Sequence, residues 1–196
     1  MNRAPKFLET TFGGKKGFLR HCQALLALRA GRYRHWQEID LAAVSRLVFV
    51  CSGNISRSPY SEFRAREQGL SSISFGLHAG DGNPAEDSAI SNAANRGIDL
   101  DSHRSTPIGD YAPSTGDLVL AYEAGHAEAL RIYCDTRGAH DTQVSLLGLW
   151  ARPQHPLVFD PYGLHGDYYQ TCYALIDSAV ENLALMMETG VPESAL

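Results

Sequence analysis

The sequence predicts an α/β domain in which a parallel sheet carries helices on both faces, with a helical extension at its N-terminus. From residue 46 onward, short apolar runs alternate with stretches of helical periodicity, which is the order of elements in a parallel α/β sheet. The first run, Leu47 to Val50, is entirely apolar, as expected of a strand buried on both faces. Hydrophobic residues make up 44% and charged residues 20% of the 196 residues, a composition typical of globular proteins.

Charge divides the chain into two parts. Up to Trp36 there are eight Lys or Arg residues and one acidic residue, whereas the remainder has nine basic and 21 acidic residues. A basic segment before an acidic one indicates separate units. We therefore expect a basic N-terminal extension with one helix at residues 1–45 and a main domain at residues 46–196.

The helix of the extension has an apolar stripe that allows two interpretations. Phe18, Cys22, Leu25 and Leu26 repeat at spacings of three and four, as on one face of a helix that ends near Gly31. Either this stripe packs on the main domain, or the basic helix contacts an anionic membrane surface or an acidic partner. Because the stripe is short, we expect any membrane contact to be weak.

In the main domain, each predicted element has its own signal. Pro59 favours a helix start and Gly69 a helix end. Gly97 closes an alanine-rich helix, and a final helix is indicated by apolar residues at helical spacing from Tyr169 to Met187. The predicted strands cover residues 47–50, 73–77, 117–122 and 144–149, and the predicted helices cover residues 58–68, 84–96, 124–134 and 168–188.

Several classes of protein are disfavoured. The four cysteines are far apart in sequence, so we expect reduced thiols rather than a metal or redox pair. The eight histidines show no metal-ligand pattern, and we expect neither a metal nor another cofactor. The main domain has no basic stripe with interleaved aromatic residues, which argues against nucleic-acid binding. The N-terminus has no signal-peptide layout, so we expect a cytoplasmic protein.

A cysteine stands where the first strand ends, and an arginine follows six residues later, in "VFVCSGNISRSPYSE". In a parallel sheet, ligands bind at the carboxyl edge, where Cys51 is expected. The following loop leads into a helix N-terminus, so its amide groups and the helix dipole form a cradle for an anion. Arg57 offers two N–H groups to a phosphate. The loop residues of this predicted site are Ser52, Gly53, Asn54, Ile55, Ser56 and Ser58.

The same surroundings favour a reactive thiolate. A cysteine beside a cation at a helix N-terminus loses its proton more readily than a free cysteine. Ser58 could donate a hydrogen bond to the thiolate of Cys51. The loop thus combines a nucleophile with donors for the charge that develops in a phosphoryl-transfer transition state. The structural alternative is a buried cysteine at a strand end with a surface arginine.

Phosphoryl transfer to a thiolate also needs an acid for the leaving oxygen. Asp160 in "LVFDPYGLHG" is a candidate, because Pro161 restricts it to an extended conformation. Tyr162 could stack against an aromatic leaving group. From spacing alone, Asp160 cannot be separated from an ordinary Asp-Pro turn. Equally polar loops hold Asp101, Asp110 and Asp135.

These motifs resemble those of the low-molecular-weight protein tyrosine phosphatases. "VFVCSGNISRSPYSE" is similar to the family's C-x-G-N-I-C-R-S-P loop, "FDPYG" to its late Asp-Pro-aromatic loop, and "NPAEDSAISNAANRGIDLDSHRS" to the stretch between. The resemblance covers residues 46–189. It implies a four-stranded, flavodoxin-like parallel sheet (phosphotyrosine phosphatase I-like).

The resemblance also implies metal-free hydrolysis in two steps. Cys51 attacks phosphorus while Asp160 protonates the leaving oxygen, and a cysteinyl-phosphate forms. Asp160 then activates water, while Arg57 and the loop amides hold the phosphoryl group. Relatives of this kind often act on membrane-associated tyrosine kinases, so a phosphotyrosine protein or an aryl phosphate is the expected substrate.

Two departures from the family pattern bear on function. Ser56 stands where most members have a second cysteine. Together with the absence of paired cysteines downstream, this disfavours an arsenate reductase-like enzyme. Ile55 stands where relatives acting on phosphoarginine tend to have threonine, which favours phosphotyrosine. A non-catalytic phosphate-binding module is a third possibility, although such a module would be expected to lose Cys51 or Asp160. His103 and Arg104 lie in a family-like segment and are expected to have structural roles.

Overall fold

Four parallel strands form a single sheet in the computed structural model, which describes residues 6–164 and 166–190. They are β1 (Arg46–Cys51), β2 (Ser72–Gly76), β3 (Asp117–Ala121) and β4 (Gln143–Leu146), in the order β2-β1-β3-β4. All three pairings are parallel. Leu47 to Val50 are completely buried at the centre of the sheet, because β1 has a neighbour on each side. The predicted fold class is confirmed.

Helices connect the strands and cover both faces of the sheet. The helices are α1 (Lys6–Phe12), α2 (Lys15–Arg29), α3 (Arg57–Glu67), α4 (Asp87–Ala94), α5 (Ala124–Thr136) and α6 (Gly166–Thr189). The β1-α3-β2 and β3-α5-β4 units extend from the sheet centre in opposite directions. Right-handed crossovers therefore place α3 and α5 on opposite faces. Between β1 and β3 the chain changes direction, and this is where such sheets bind ligands.

The long C-terminal helix α6 is anchored on α3 by aromatic and charged groups. The rings of Tyr60 and Tyr173 stack with their centroids 3.7 Å apart. The Tyr60 hydroxyl donates a hydrogen bond of 2.7 Å to Asp177, which also pairs with Arg64 and Arg96. The buried carboxylate is thus fully partnered, as burial of a charge requires, and α3 is held rigidly behind the end of β1.

The extension contains two α-helices, so the prediction of a single helix was wrong. Helix α1 is only seven residues long, too short for its periodicity to stand out in the sequence. Helix α2 packs on the main domain, but through small residues rather than through its apolar stripe. Its buried residues are Gly17 and Ala24, whereas Phe18 and Leu26 are 41% and 63% exposed.

Glycine explains why α2 docks through this face. A Cβ atom on Gly17 would overlap the carbonyl oxygen of Phe12 and lie 3.1 Å from Phe159. The missing side chain therefore lets α2 approach both α1 and the main domain closely. Further along the extension, the Ser145 hydroxyl donates to the carbonyl oxygen of Trp36 at 2.6 Å.

Some predicted regions lie outside the described residues, namely residues 1–5 of the extension and residues 191–196 of the main domain. Within residues 6–164 and 166–190, no helix combines the length and apolar character needed to cross a membrane.

Candidate active site

Cys51 ends β1 at the carboxyl edge of the sheet and is almost completely buried. Its Sγ lies 3.1 Å from the Ser58 hydroxyl and accepts a hydrogen bond of 3.2 Å from the Asn54 amide. Either atom can be the donor in the first contact, whereas the Asn54 amide is a fixed donor to the sulfur. The sulfur thus lies among polar groups of the loop that follows it.

The loop after Cys51 is held in shape by Asn54, whose φ of 52° is the one left-handed value of a non-glycine residue in the part of the chain that is described. Asparagine tolerates this conformation better than most residues. Its side-chain amide donates to Ser58 and Ser74 at 2.8 Å each, and its side-chain oxygen accepts from the Thr106 amide at 2.8 Å. All three hydrogen-bonding positions are used, so Asn54 fixes the loop against β2 and the segment beyond it.

A histidine supports the same loop from outside. The Nε2 of His103 lies 2.7 Å from the carbonyl oxygen of Asn54. Burial lowers the pKa of His103, although this hydrogen bond acts in the opposite direction. A neutral ring with its proton on Nε2 suits the carbonyl acceptor. This contact agrees with a structural role for His103.

The loop lies directly on β2 because β2 ends in glycine. A Cβ atom on Gly76 would lie 2.9 Å from the Asn54 nitrogen and 2.9 Å from the Gly53 carbonyl carbon. In contrast, a Cβ atom on Gly53 would contact only Ile55. Steric fit thus demands glycine at position 76, which was not among the residues selected from the sequence, whereas it does not demand glycine at position 53.

Amide donors of the loop are available for an anion. The backbone N–H groups of Gly53, Ile55 and Ser56 have no hydrogen-bond acceptor among residues 6–164 and 166–190. These unpaired donors lie in the single loop between Cys51 and Arg57, and successive free N–H groups of this kind suit the binding of an oxyanion. Ser56 is buried, and its side chain lies beside those of Tyr169 and Tyr173 on α6.

Arg57, at the start of α3, is 1% exposed and held by acceptors from two other segments. Its Nη1 donates to the Val158 carbonyl oxygen at 2.9 Å and pairs with Glu123 at 3.2 Å. Its Nη2 pairs with Asp160 at 2.8 Å. Burial alone would lower the pKa of Arg57, but the neighbouring negative charges of Asp160, Cys51 and Glu123 raise it.

One nitrogen of the guanidinium has no partner. Arg57 Nε is buried and has no hydrogen-bond partner among the described residues. A fixed cation with a free N–H beside the loop amides can bind a phosphate oxygen. The arginine is therefore oriented before any ligand arrives.

Asp160 comes to the same edge of the sheet from a distant part of the sequence. The Val158 amide donates to the Tyr122 carbonyl oxygen at 3.0 Å, which fixes the start of this loop after β3. One Asp160 oxygen accepts from the Tyr162 amide at 3.2 Å, and the other contacts Arg57. The side chain of Tyr162 is largely exposed, so its ring lies at the mouth of the site rather than inside it.

Glu123 is not among the site residues selected from the sequence, yet it directly contacts Arg57. It lies two residues after the end of β3 at the carboxyl edge of the sheet, the edge at which Cys51 ends β1. Burial alone would raise the pKa of Glu123, but Arg57, His126 and Arg20 together lower it below its usual value. The rule that selected Cys51 could have selected Glu123 as well.

Comparison with known proteins agrees with this geometry. Residues 46–193 match the model of the family described as low molecular weight phosphotyrosine protein phosphatase. A relative from Escherichia coli strain K12, the low molecular weight protein-tyrosine-phosphatase Etp, is 31% identical over 141 residues, covering 70% of this chain and 91% of the relative. The corresponding phosphatase Wzb of Salmonella typhi is 30% identical over 152 residues, covering 76% and 99%.

Two solved structures show the same fold. The YwlE arginine phosphatase from Geobacillus stearothermophilus superposes with a TM-score of 0.64 at 25% identity, covering 74% of this chain and 94% of that protein. The tyrosine phosphatase Wzb from Escherichia coli K30, solved in complex with sulphate, superposes with a TM-score of 0.61 at 28% identity, covering 72% and 97%.

We predict that Asn54→Ala lowers the free energy of unfolding by about 2–4 kcal/mol, because it removes buried hydrogen bonds and places alanine in a left-handed conformation. Asn95→Ala is the matched control, since Asn95 is exposed and has right-handed backbone angles. Urea denaturation of both variants measures the difference. An equal loss in the two variants would contradict the role assigned to Asn54.

Proposed function

Because this chain belongs to the low molecular weight phosphotyrosine protein phosphatase family, we propose that Cys51, Arg57 and Asp160 form its catalytic centre. The chain is a cysteine-dependent phosphatase that hydrolyses phosphotyrosine or aryl phosphate. The observation that most supports the proposed centre is the contact of Arg57 with Asp160 at 2.8 Å. Through it, two distant sequence motifs meet beside one buried cysteine.

In the proposed first step, the Cys51 thiolate attacks the phosphorus atom of the ester. The bond from phosphorus to the leaving oxygen breaks, and Asp160 gives that oxygen a proton. The product is a cysteinyl-phosphate together with the free phenol. Ser52, Gly53, Ile55 and Ser56 direct amide groups at the equatorial oxygens, and Arg57 contributes its free Nε–H.

In the second step, water attacks the cysteinyl-phosphate. Asp160, now a carboxylate, removes a proton from the water, and the bond between sulfur and phosphorus breaks. Inorganic phosphate leaves and the thiolate of Cys51 is regenerated. Asn54 maintains the loop, and the Ser58 hydroxyl donates to the sulfur whenever it carries negative charge. A bound phosphate competes with Asp160 for Arg57, which frees the carboxyl group to face the leaving oxygen.

Phosphotyrosine is favoured over phosphoarginine by two residues at the mouth of the site. Ile55 is partly exposed beside the loop amides, and Tyr162 offers an exposed ring on the Asp160 loop. Both are suited to packing against an aromatic ring. The natural substrate would be a phosphotyrosine protein, and a membrane-associated tyrosine kinase is one such partner.

We propose that the protein is cytoplasmic. We also propose that the boundary between the extension and the phosphatase domain lies at residue 45. All four cysteines are free thiols, which suits a reducing compartment. The match to the family begins at residue 46, which supports that boundary.

The outward face of α2 supports weak contact with an anionic membrane surface. Phe18 and Leu19 project from this helix into solvent, as does Leu26 two turns further along, and Lys15 and Lys16 are exposed near its start. No acidic residue lies in α2. Apolar side chains flanked by lysine suit the boundary of an anionic bilayer.

We predict that Asp160→Ala lowers kcat by about 10²–10⁴-fold for phenyl phosphate, a poor leaving group, and much less for 4-nitrophenyl phosphate. The reason is that only a poor leaving group needs the proton.

Cys51→Ser should abolish turnover and still bind inorganic phosphate in calorimetry, because the amide cradle remains. Equal losses with both esters would contradict acid catalysis by Asp160, and turnover by Cys51→Ser would contradict the mechanism.

We predict that a phosphotyrosine peptide is hydrolysed with a kcat/KM at least about tenfold above that of a phosphoarginine peptide of the same sequence. Ile55→Thr should narrow this ratio, because it replaces an apolar contact with a hydroxyl. Ile55→Val is the control and should preserve the ratio. A preference for phosphoarginine in the unaltered protein would overturn the proposed substrate class.

We predict that the protein binds vesicles containing phosphatidylglycerol and not vesicles of phosphatidylcholine. Leu19→Ser combined with Leu26→Ser should reduce the partition coefficient at least about tenfold, because the two side chains lose apolar contact with the bilayer. Ile132→Ser is the matched control, since Ile132 is equally exposed on α5. Equal binding by all three proteins would exclude this surface.

A further inference from the structure

The turn between α1 and α2 packs against Phe159, the residue that precedes Asp160. A Cβ atom on Gly13 would lie 2.7 Å from Leu164 Cδ1 and 3.1 Å from Phe159 Cδ1. Gly17 approaches the same phenylalanine ring, and the guanidinium of Arg20 lies 5.7 Å from its centroid. The extension thus contacts the Asp160 loop at several points on a single side chain.

The extension also reaches the charges around Arg57. Arg20 Nη2 contacts Glu123 Oε2 at 2.8 Å, and the other oxygen of Glu123 contacts Arg57 Nη1 at 3.2 Å. One carboxylate therefore joins an arginine of the extension to the buried arginine of the site. The side chain of Glu123 is 14% exposed, so water has little access to its two oxygens.

We propose that the N-terminal extension contributes to catalysis. In this proposal, Arg20 is a positioning residue that acts through Glu123 on Arg57. The turn between α1 and α2 holds Phe159 and thereby Asp160. This inference rests on the proposed function, and it assigns to residues 6–29 a role in catalysis besides any contact with a membrane.

The physical reason lies in how a carboxylate binds arginine. A free carboxylate prefers to bind a guanidinium through both of its oxygens. Arg20 occupies one oxygen of Glu123, which leaves a single oxygen for Arg57. The Nε and Nη2 of Arg57 then remain available for phosphate and Asp160. Without Arg20, Glu123 would be free to turn both oxygens toward Arg57 and compete with the anionic substrate.

The first experiment is a double-mutant cycle on Arg20 and Glu123. We expect Arg20→Met to lower kcat/KM for 4-nitrophenyl phosphate, and to raise the inhibition constant of inorganic phosphate, by roughly three- to tenfold. In a Glu123→Gln background, Arg20→Met should change either value by less than about twofold. Arg20→Lys keeps the positive charge and should restore most of the activity.

Arg29→Met is the matched control, because Arg29 lies on the same helix and is exposed. This control should retain full activity, and thermal melting should show Arg20→Met to be folded. Full activity of Arg20→Met, or an undiminished loss in the Glu123→Gln background, would overturn the action through Glu123.

The second experiment concerns the turn. Gly13→Ala adds a methyl group against Leu164 and Phe159, whereas Gly14→Ala adds one with no atom within 4 Å. Both glycines have positive φ, 70° and 98°, so both variants carry backbone strain, and the control carries the larger strain because Gly14 has a ψ of −173°. We expect Gly13→Ala to slow phenyl phosphate at least about threefold more than 4-nitrophenyl phosphate, because Asp160 is displaced. Gly14→Ala should slow both esters equally.

The same selective loss in Gly14→Ala, or no selective loss in Gly13→Ala, would overturn the role of the turn. Failure of the proposed function would look different. In that case the unaltered protein would not hydrolyse either ester, whereas phosphate binding to Cys51→Ser and Cys51→Ser/Arg20→Met, measured by calorimetry, would still test the link through Glu123.

Discussion

The buried guanidinium of Arg57 is the group on which the rest of the site depends. A cation removed from water must be matched by acceptors, and here these come from Val158, Glu123 and Asp160. Glu123 follows β3, whereas Val158 and Asp160 belong to one later loop, and both segments reach the same edge of the sheet. Satisfying one buried charge therefore assembles the nucleophile loop, the end of β3 and the Asp160 loop into a single site.

A second network, made of uncharged hydrogen bonds, makes the loop between Cys51 and Ser58 rigid. Asn54 connects Cys51 and Ser58 with Ser74 on β2 and with Thr106. The geometry of the amide donors is consequently set before an anion binds. This preorganisation is what allows an active site to stabilise a transition state without reorganising during the reaction. The two networks are joined through the chain itself. The loop that follows Cys51, which Asn54 holds in shape, leads directly into Arg57 at the start of α3.

The extension joins these networks from outside the family's usual boundaries. Its helix α2 packs with Gly17 and Ala24 toward the main domain and with Leu19 and Leu26 toward solvent. The close approach of a glycine face brings Arg20 to Glu123 and the α1–α2 turn to Phe159. A segment that looks like an appendage in the sequence thus contacts Glu123 and Phe159, which neighbour Arg57 and Asp160.

The sequence by itself determined the strands, most helices, and the Cys51 to Ser58 loop, because periodicity, helix caps and motif spacing are local properties. It selected Asp160 only with help from the family resemblance, since spacing does not show which of several aspartates reaches the loop. The position of Glu123 after β3 carried a signal in the sequence, whereas only the tertiary structure revealed Ser74 and Gly76. The tertiary structure also decided which face of α2 packs on the main domain, with Gly17 and Ala24 buried and Phe18 and Leu26 exposed. Such contacts join residues far apart in the chain, and no local pattern encodes them.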